Sequence, residues 1–169
     1  MQDIGNPATP PSPVATKRLT HTFTMRTQSR PVDPSTLRAI LVDDERVNTR
    51  IGRNFLSRLG MPKANITCLS DGDELVAHLN DPGKPRPDVV FLDLLMPRMT
   101  GFEAAEQLQP LSQHCPFVVA SGNIDVQPIA TARALGFAGV LSKPFKAEQM
   151  GEALTRAVRG GPFFVVARG

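Results

Sequence analysis

The sequence contains no tryptophan and no tyrosine, and its only cysteines are Cys68 and Cys115. The two cysteines form no CxxC pair and have no histidine at ligand spacing, which argues against a disulfide framework or a common zinc site. No run of about 18 apolar residues is present, so we expect no membrane-spanning helix. The N-terminus also lacks the charged and apolar regions of a secretion signal. These absences predict a reducing, cytoplasmic location.

A strong charge imbalance is absent as well. The formal net charge is +3 and the pI is near 9.2. Four basic and two acidic side chains fall in the first 37 residues, which leaves the rest of the chain nearly neutral. Since no basic patch is interleaved with aromatic residues, we do not expect direct binding to nucleic acid.

Proline is concentrated near the N-terminus. Six of the 16 prolines lie in residues 1–36, and the apolar residues there follow no sustained period. Such a segment buries too little apolar surface to offset the loss of chain entropy. We therefore predict a disordered, Pro-rich extension over residues 1–36.

From residue 37 onward, short apolar runs alternate with amphipathic segments. Runs at 38–42, 66–69, 88–92, 117–120 and 139–141 predict strands, and segments at 46–59, 71–80, 102–110, 126–135 and 147–158 predict helices. This alternation favours a parallel sheet with helices on both faces. The sequence predicts a flavodoxin-like, doubly wound α/β domain, (βα)5, over residues 37–159, with five strands in the order 2-1-3-4-5. Residues 160–169 are expected to form a short tail that packs on this domain.

Four of the five predicted strands end on a chemically distinctive side chain. Asp43 and Asp44 follow the first strand, Asp93 the third, Ser121 the fourth and Lys143 the fifth. In the order 2-1-3-4-5 these side chains converge on one crevice, and the second strand, which lacks a candidate, lies at the edge. Three carboxylates at close range repel one another unless a cation lies among them, and oxygen ligands suit Mg²⁺. The lysine and the hydroxyl suit an anion with several oxygens, such as phosphate.

Four segments in this order resemble the receiver domain of two-component response regulators, the CheY-like family. They are the pair Asp43-Asp44, the segment LDLLMPRMTG at 92–101, Ala120-Ser121 and Lys143-Pro144-Phe145, and the resemblance runs from about residue 38 to 158. It implies that Asp93 accepts a phosphoryl group from a phosphohistidine. It also implies Mg²⁺ held by Asp44, Asp93 and the backbone carbonyl of Leu95, with help from Asp43.

The resemblance further implies roles for the remaining site residues and for partner proteins. Lys143 and Ser121 would bind phosphoryl oxygens, and the Lys143–Pro144 peptide bond would be cis. The partners would be a sensor histidine kinase or a histidine phosphotransfer protein, and a downstream target protein. The expected protein is a stand-alone receiver that switches conformation and is not an enzyme.

Two features of the sequence qualify this expectation. The first predicted helix contains arginines and no acid, a pattern that fits either a partner surface or a solvated face; the arginines are Arg46, Arg50, Arg53 and Arg58. The family usually has an aromatic residue three positions before the lysine, where this chain has Val140. We therefore expect the phosphorylation signal to leave through residues 122–126 and the next helix, unless Phe137 or Phe145 replaces the missing ring.

Other interpretations stay open at this point. Asp43 and Asp44 can be explained as caps of the next helix, Ser121 as a turn residue and Lys143 as a solvated charge. For the domain, the alternatives are a flavin-binding flavodoxin-like protein, a phosphatase with an aspartyl nucleophile, and a receiver-like scaffold that is never phosphorylated. Against the flavin protein, acids follow the first strand instead of a phosphate-binding loop. Against the phosphatase, Leu95 stands where a second aspartate is usual.

Overall fold

The computed structural model describes residues 31–122 and 125–167. Most of the predicted N-terminal extension therefore lies outside the described residues. Within its described part, Pro34–Thr36 form a 3-10 turn, and the Asp33 carboxylate accepts a hydrogen bond of 3.0 Å from the Ser35 N–H. Across the described ranges, no helix combines the length and apolar character needed to cross a membrane.

Strands and α-helices alternate along the described chain. The strands are β1 (Ala39–Val42), β2 (Ile66–Leu69), β3 (Val89–Leu92), β4 (Phe117–Ser121), β5 (Gly139–Ser142) and β6 (Phe164–Val166). The α-helices are α1 (Arg46–Arg58), α2 (Gly72–Asn80), α3 (Gly101–Gln107), α4 (Val126–Ala134) and α5 (Ala147–Arg159). Each of the first five strands and each helix lies within three residues of its predicted bounds.

All the described strands form one parallel sheet in the order β2-β1-β3-β4-β5-β6. The predicted order of the first five strands is confirmed, and β2, the strand without a candidate residue, is at the edge. The prediction of five strands is wrong by one, because β6 extends the sheet beyond β5.

The sixth strand forms because the chain reverses after α5. Gly160 and Gly161 have φ angles of 69° and 136°, which side chains with a Cβ rarely adopt. The chain then runs back beside β5, where Phe164 pairs with Gly139. A Cβ on Gly139 would lie 2.5 Å from the Phe164 ring, so the absence of a side chain there makes room for this ring.

The core lies in two layers, one on each face of the sheet. One layer joins β1, β3 and β4 to α2 and α3, for example through Leu75, Leu79 and Ala105. The other joins the sheet to α1 and α5, for example through Leu56 and Leu154. Every residue of β1, β3, β4 and β5 is buried, as expected for parallel strands covered on both faces.

Candidate functional site

Three carboxylates meet at the carboxyl ends of β1 and β3. The two strands are adjacent, with Val42 paired to Leu92, so that Asp43 and Asp93 follow side by side. With Asp44, their carboxylate oxygens lie within 4.8 Å of one another. Asp43 and Asp93 are buried and Asp44 is exposed, so the cluster opens to solvent on one side.

Asp43 fixes the turn that leads into α1 and also belongs to the cluster. Its Oδ1 accepts hydrogen bonds of 3.0 Å from the Glu45 N–H and 3.1 Å from the Asn48 side-chain amide. Glu45, the N-cap residue, makes no side-chain capping bond. Asp43 Oδ1 therefore bonds to the residue before the helix and to a side chain, and not to the free backbone N–H groups of the first turn of α1, so capping does not explain Asp43. Its other oxygen faces the crevice.

Lys143 lies between two of the carboxylates. Its Nζ forms an ion pair with the second oxygen of Asp43 and lies 3.1 Å from an oxygen of Asp93. The Lys143–Pro144 peptide bond is cis, as the resemblance implies. The Lys143 N–H donates a hydrogen bond of 2.8 Å to the Ser121 carbonyl, which ties the ends of β4 and β5 together. The ammonium is mostly buried, and this excludes the interpretation of Lys143 as a solvated charge.

The pKa of Asp93 lies above its ordinary value. Burial of the carboxylate is the largest cause, and the negative charge of Asp43 adds to it. Lys143 and the Leu94 N–H, which donates a bond of 2.8 Å to Asp93 Oδ1, act in the opposite direction but do not outweigh burial. A divalent cation among the carboxylates would supply the missing positive charge.

The donor atoms fit a magnesium ion. Carboxylate oxygens from three residues converge, no histidine or cysteine belongs to the cluster among the residues that the structure describes, and the exposed side leaves room for the water that Mg²⁺ keeps. Asp43, Asp44 and Asp93 are the residues that can hold the ion through their side chains.

The remaining predicted residues, Ser121 and Leu95, lie on the segments that border this cluster. Ser121 is the last residue of β4 and is buried, beside Ser142 of β5. Leu95 lies in the loop after Asp93, with its side chain 71% exposed. The two ends of this loop are joined, because the Gly101 N–H donates a hydrogen bond of 3.1 Å to the Leu94 carbonyl. A Cβ on Gly101 would lie 2.2 Å from the Asp93 carbonyl oxygen, so only glycine fits this approach.

Asp71 is a residue whose contacts sequence reasoning missed. It follows β2 by two positions, caps α2 and is 1% exposed. Its carboxylate also accepts hydrogen bonds from the backbone N–H groups of Arg98 and Met99, in the loop after Asp93. The Asp-Gly pair at 71–72 indicates a helix start, but no local pattern shows that this carboxylate also faces a second loop.

Comparison with known proteins agrees with this geometry. Residues 39–155 match the profile described as the response regulator receiver domain. Transcription factor SKN7 of Chaetomium thermophilum is 34% identical over 119 residues, which cover 70% of this chain and 15% of that protein. Probable histidine kinase 6 of Oryza sativa subsp. japonica is 29% identical over 154 residues, which cover 75% of this chain and 15% of that protein.

A solved structure also resembles this fold. Chemotaxis protein CheY4 of Vibrio cholerae superposes with a TM-score of 0.64 at 28% identity, covering 72% of this chain and 98% of that one. The chain spans only a small part of the two curated relatives above, so the likeness to them concerns this domain. The profile covers well over half of the sequence, and the strand order and the acidic cluster agree with it. The chain belongs to the response regulator receiver domain family.

Proposed function

We propose that this receiver accepts a phosphoryl group from a phosphohistidine onto Asp93 in a Mg²⁺-dependent reaction. The observation that supports this most strongly is the position of Asp93. It is buried at the end of β3, 3.1 Å from the Lys143 ammonium and within 4.8 Å of the carboxylate oxygens of Asp43 and Asp44. One nucleophilic oxygen is thus surrounded by a fixed cation and a candidate site for a second cation.

The chemistry requires positioning and charge neutralisation more than covalent assistance. A carboxylate oxygen of Asp93 forms the new P–O bond as the P–N bond to the donor imidazole breaks, and the bonding electrons return to the ring nitrogen. Lys143 leaves its carboxylate partners to neutralise a phosphoryl oxygen, and the Ser121 hydroxyl donates to another. When bound by Asp43, Asp44, Asp93 and the Leu95 carbonyl, Mg²⁺ supplies further positive charge at the phosphoryl oxygens.

The alternatives fit the site less well. A flavin phosphate would meet the carboxylates of Asp43 and Asp44 after β1, which repel an anion in the absence of a cation. An aspartyl phosphatase commonly needs a second acid two residues after its nucleophile, where this chain has the exposed Leu95. A scaffold that is never phosphorylated would have no use for an ammonium placed between two buried carboxylates.

Helix α1 supports a role in contact with a kinase or a phosphotransfer protein. Val47 and Ile51 are exposed apolar side chains, with exposed fractions of 56% and 43%. Beside them an open groove of about 560 Å³ begins at Asp43 and is lined by Arg46, Arg50 and Arg53. We propose that an apolar and acidic partner surface docks here and brings its phosphohistidine to the crevice. The cytoplasmic location and the downstream target remain predictions.

The experiment is intact-mass analysis after incubation with acetyl phosphate, with and without Mg²⁺. We expect the mass of the wild type to increase by one phosphoryl group only when Mg²⁺ is present, and we expect no increase for Asp93→Asn. A matched control is Asp88→Asn, which changes an exposed aspartate at the opposite end of β3 and should be labelled like wild type. Equal labelling of Asp93→Asn and wild type would show that Asp93 is not the acceptor.

A further inference from the structure

Asp71 joins the start of α2 to the loop that follows Asp93. Its Oδ1 accepts hydrogen bonds of 2.8 Å from the Gly72 N–H and 2.9 Å from the Met99 N–H. Its Oδ2 accepts a hydrogen bond of 3.2 Å from the Arg98 backbone N–H and lies 3.7 Å from Nε of the Arg98 guanidinium. One buried carboxylate therefore satisfies three backbone donors, two of which belong to the loop after Asp93.

The two segments are also in close contact around this carboxylate. A Cβ on Gly72 would lie 2.7 Å from the Met99 carbonyl oxygen, so the loop rests directly on the start of α2. Outside, the Arg98 guanidinium bridges Asp73 at 2.9 Å and Glu74 at 3.2 Å, both in the first turn of α2. The exposed Arg98 pairs contribute little individually, so Asp71 is the main attachment.

The loop fixed in this way is the one that holds Leu95. Residues 94–100 connect Asp93 to α3. At the start of α3 the Gly101 N–H donates a hydrogen bond to the Leu94 carbonyl. Met96 is buried in the core, while Leu95, two positions after Asp93, is exposed. Attachment at residues 98 and 99 by Asp71, and at 94 by Gly101, leaves the backbone around Leu95 little freedom to move.

We propose that Asp71 is a positioning residue for the metal site: by fixing residues 98 and 99, it holds the Leu95 carbonyl where it binds Mg²⁺. This inference rests on the proposed function. Residues that orient metal ligands without touching the metal typically change metal affinity about 10- to 100-fold when they are replaced. Both carboxylate oxygens of Asp71 are engaged by backbone N–H groups, so its effect on the site is indirect and falls on the Mg²⁺ affinity.

The test is a Mg²⁺ titration of the unphosphorylated, metal-free protein, followed by the amide NMR shifts of residues 43, 44 and 93–95. For Asp71→Ala, which loses all three acceptor contacts, we expect Mg²⁺ to bind roughly tenfold more weakly. For Asp71→Asn we expect a smaller loss, because the amide oxygen still accepts from Met99 while the NH₂ group cannot accept from Arg98. If Asp71→Ala fails to fold, Asp71→Asn alone tests the inference.

Acetyl phosphate labelling provides the second measurement. We expect the Asp71 variants to need more Mg²⁺ for half-maximal labelling and to approach the wild-type rate at saturating Mg²⁺. The control for a general loss of stability is Asn65→Ala, which removes a hydrogen bond of 3.1 Å to the Leu37 carbonyl near the start of β1, far from the site. Asn65→Ala should leave the Mg²⁺ affinity unchanged.

The outcomes separate the two proposals. If the wild type neither binds Mg²⁺ near Asp93 nor becomes labelled, the proposed function is wrong. If the wild type does both, and the Asp71 variants bind Mg²⁺ as tightly as the wild type while only their melting temperatures fall, then Asp71 is merely structural and the inference is wrong.

Discussion

At the scale of single residues, the properties of the site depend on the balance between burial and charge at Asp93. Asp43, Asp93 and Lys143 could be placed together because each follows a recognisable apolar strand, and parallel strands present their carboxyl ends at one edge. In the metal-free protein, burial outweighs Lys143 and raises the Asp93 pKa. Burial depends on the packing of residues distant in sequence, which no local pattern contains.

The raised pKa predicts that ionised Asp93 destabilises the metal-free fold. Between the ordinary carboxyl pKa and the raised one, the folded state holds the proton more tightly than the unfolded state. The free energy of unfolding therefore falls as pH rises through this window. At neutral pH, with a chelator present, Asp93→Asn removes this cost, and we expect its melting temperature to exceed that of wild type.

Thermal melts at pH 7 and at low pH, measured by circular dichroism, check this prediction. The difference between Asp93→Asn and wild type should shrink as the pH falls and Asp93 becomes protonated. Glu152→Gln, which removes a charge from an exposed pair with Arg156, should melt like wild type at pH 7. A lower melting temperature for Asp93→Asn in the absence of metal would contradict the prediction.

At the scale of elements, the five predicted strands were found because each is a short apolar run, and the five predicted helices because each is an amphipathic segment. The sixth strand was not predicted as a strand. Phe164–Val166 is too short for a period, and its stability comes from a contact with Gly139, which lies 25 positions earlier in the chain. Two cation–π contacts also stabilise the segment around β6. The guanidinium of Arg133 lies 4.7 Å from the centre of the Phe163 ring, and that of Arg156 lies 4.9 Å from the centre of the Phe164 ring.

A double-mutant cycle tests the fit between Gly139 and Phe164. Gly139→Ala places a Cβ 2.5 Å from the ring, and we expect it to lower the free energy of unfolding by about 1–3 kcal/mol, as other overpacked cores do. Phe164→Ala removes the buried ring and should cost about 3–5 kcal/mol. In the Phe164→Ala background, Gly139→Ala should cost much less, because the clashing ring is gone. Equal costs of Gly139→Ala in both backgrounds, measured by urea unfolding, would show that β6 does not pack on Gly139.

At the scale of the whole molecule, the question is how phosphorylation at Asp93 changes a distant surface. Val140 stands where the family usually has an aromatic residue, and its β-branched side chain has one stiff torsion and no ring to turn. The structure also limits the two possible substitutes. Phe137 is buried, and its ring makes edge-to-face contacts with the rings of Phe102 and Phe117. The distances between ring centres are 6.1 Å and 6.0 Å. Phe145 contacts Phe55 of α1 at 6.3 Å, in the other core layer.

Helix α4 is a better candidate for the moving element. Among its residues only Ala132 is fully buried, so its displacement exposes little apolar surface. The helix begins four residues after Gly122. Asn123 and Ile124 of the connecting loop lie outside the described residues. A shift of Ser121 toward a phosphoryl group on Asp93 would therefore displace the start of α4, only a few residues away in the chain. Strand β5 is buried and paired with a strand on each side, which opposes its displacement.

We therefore predict that the phosphorylated form differs from the free form mainly at residues 121–126 and in α4. Beryllofluoride with Mg²⁺ can mimic the phosphoryl group, and amide NMR shifts or hydrogen exchange can locate the change. Because a ligand shifts a conformational equilibrium only through differential contacts, Ser121→Ala should reduce the changes in α4 while Mg²⁺ and beryllofluoride still bind at Asp93. Large changes centred on Val140, Phe137 and Phe145, with residues 121–126 unaffected, would show that the signal leaves through β5 instead.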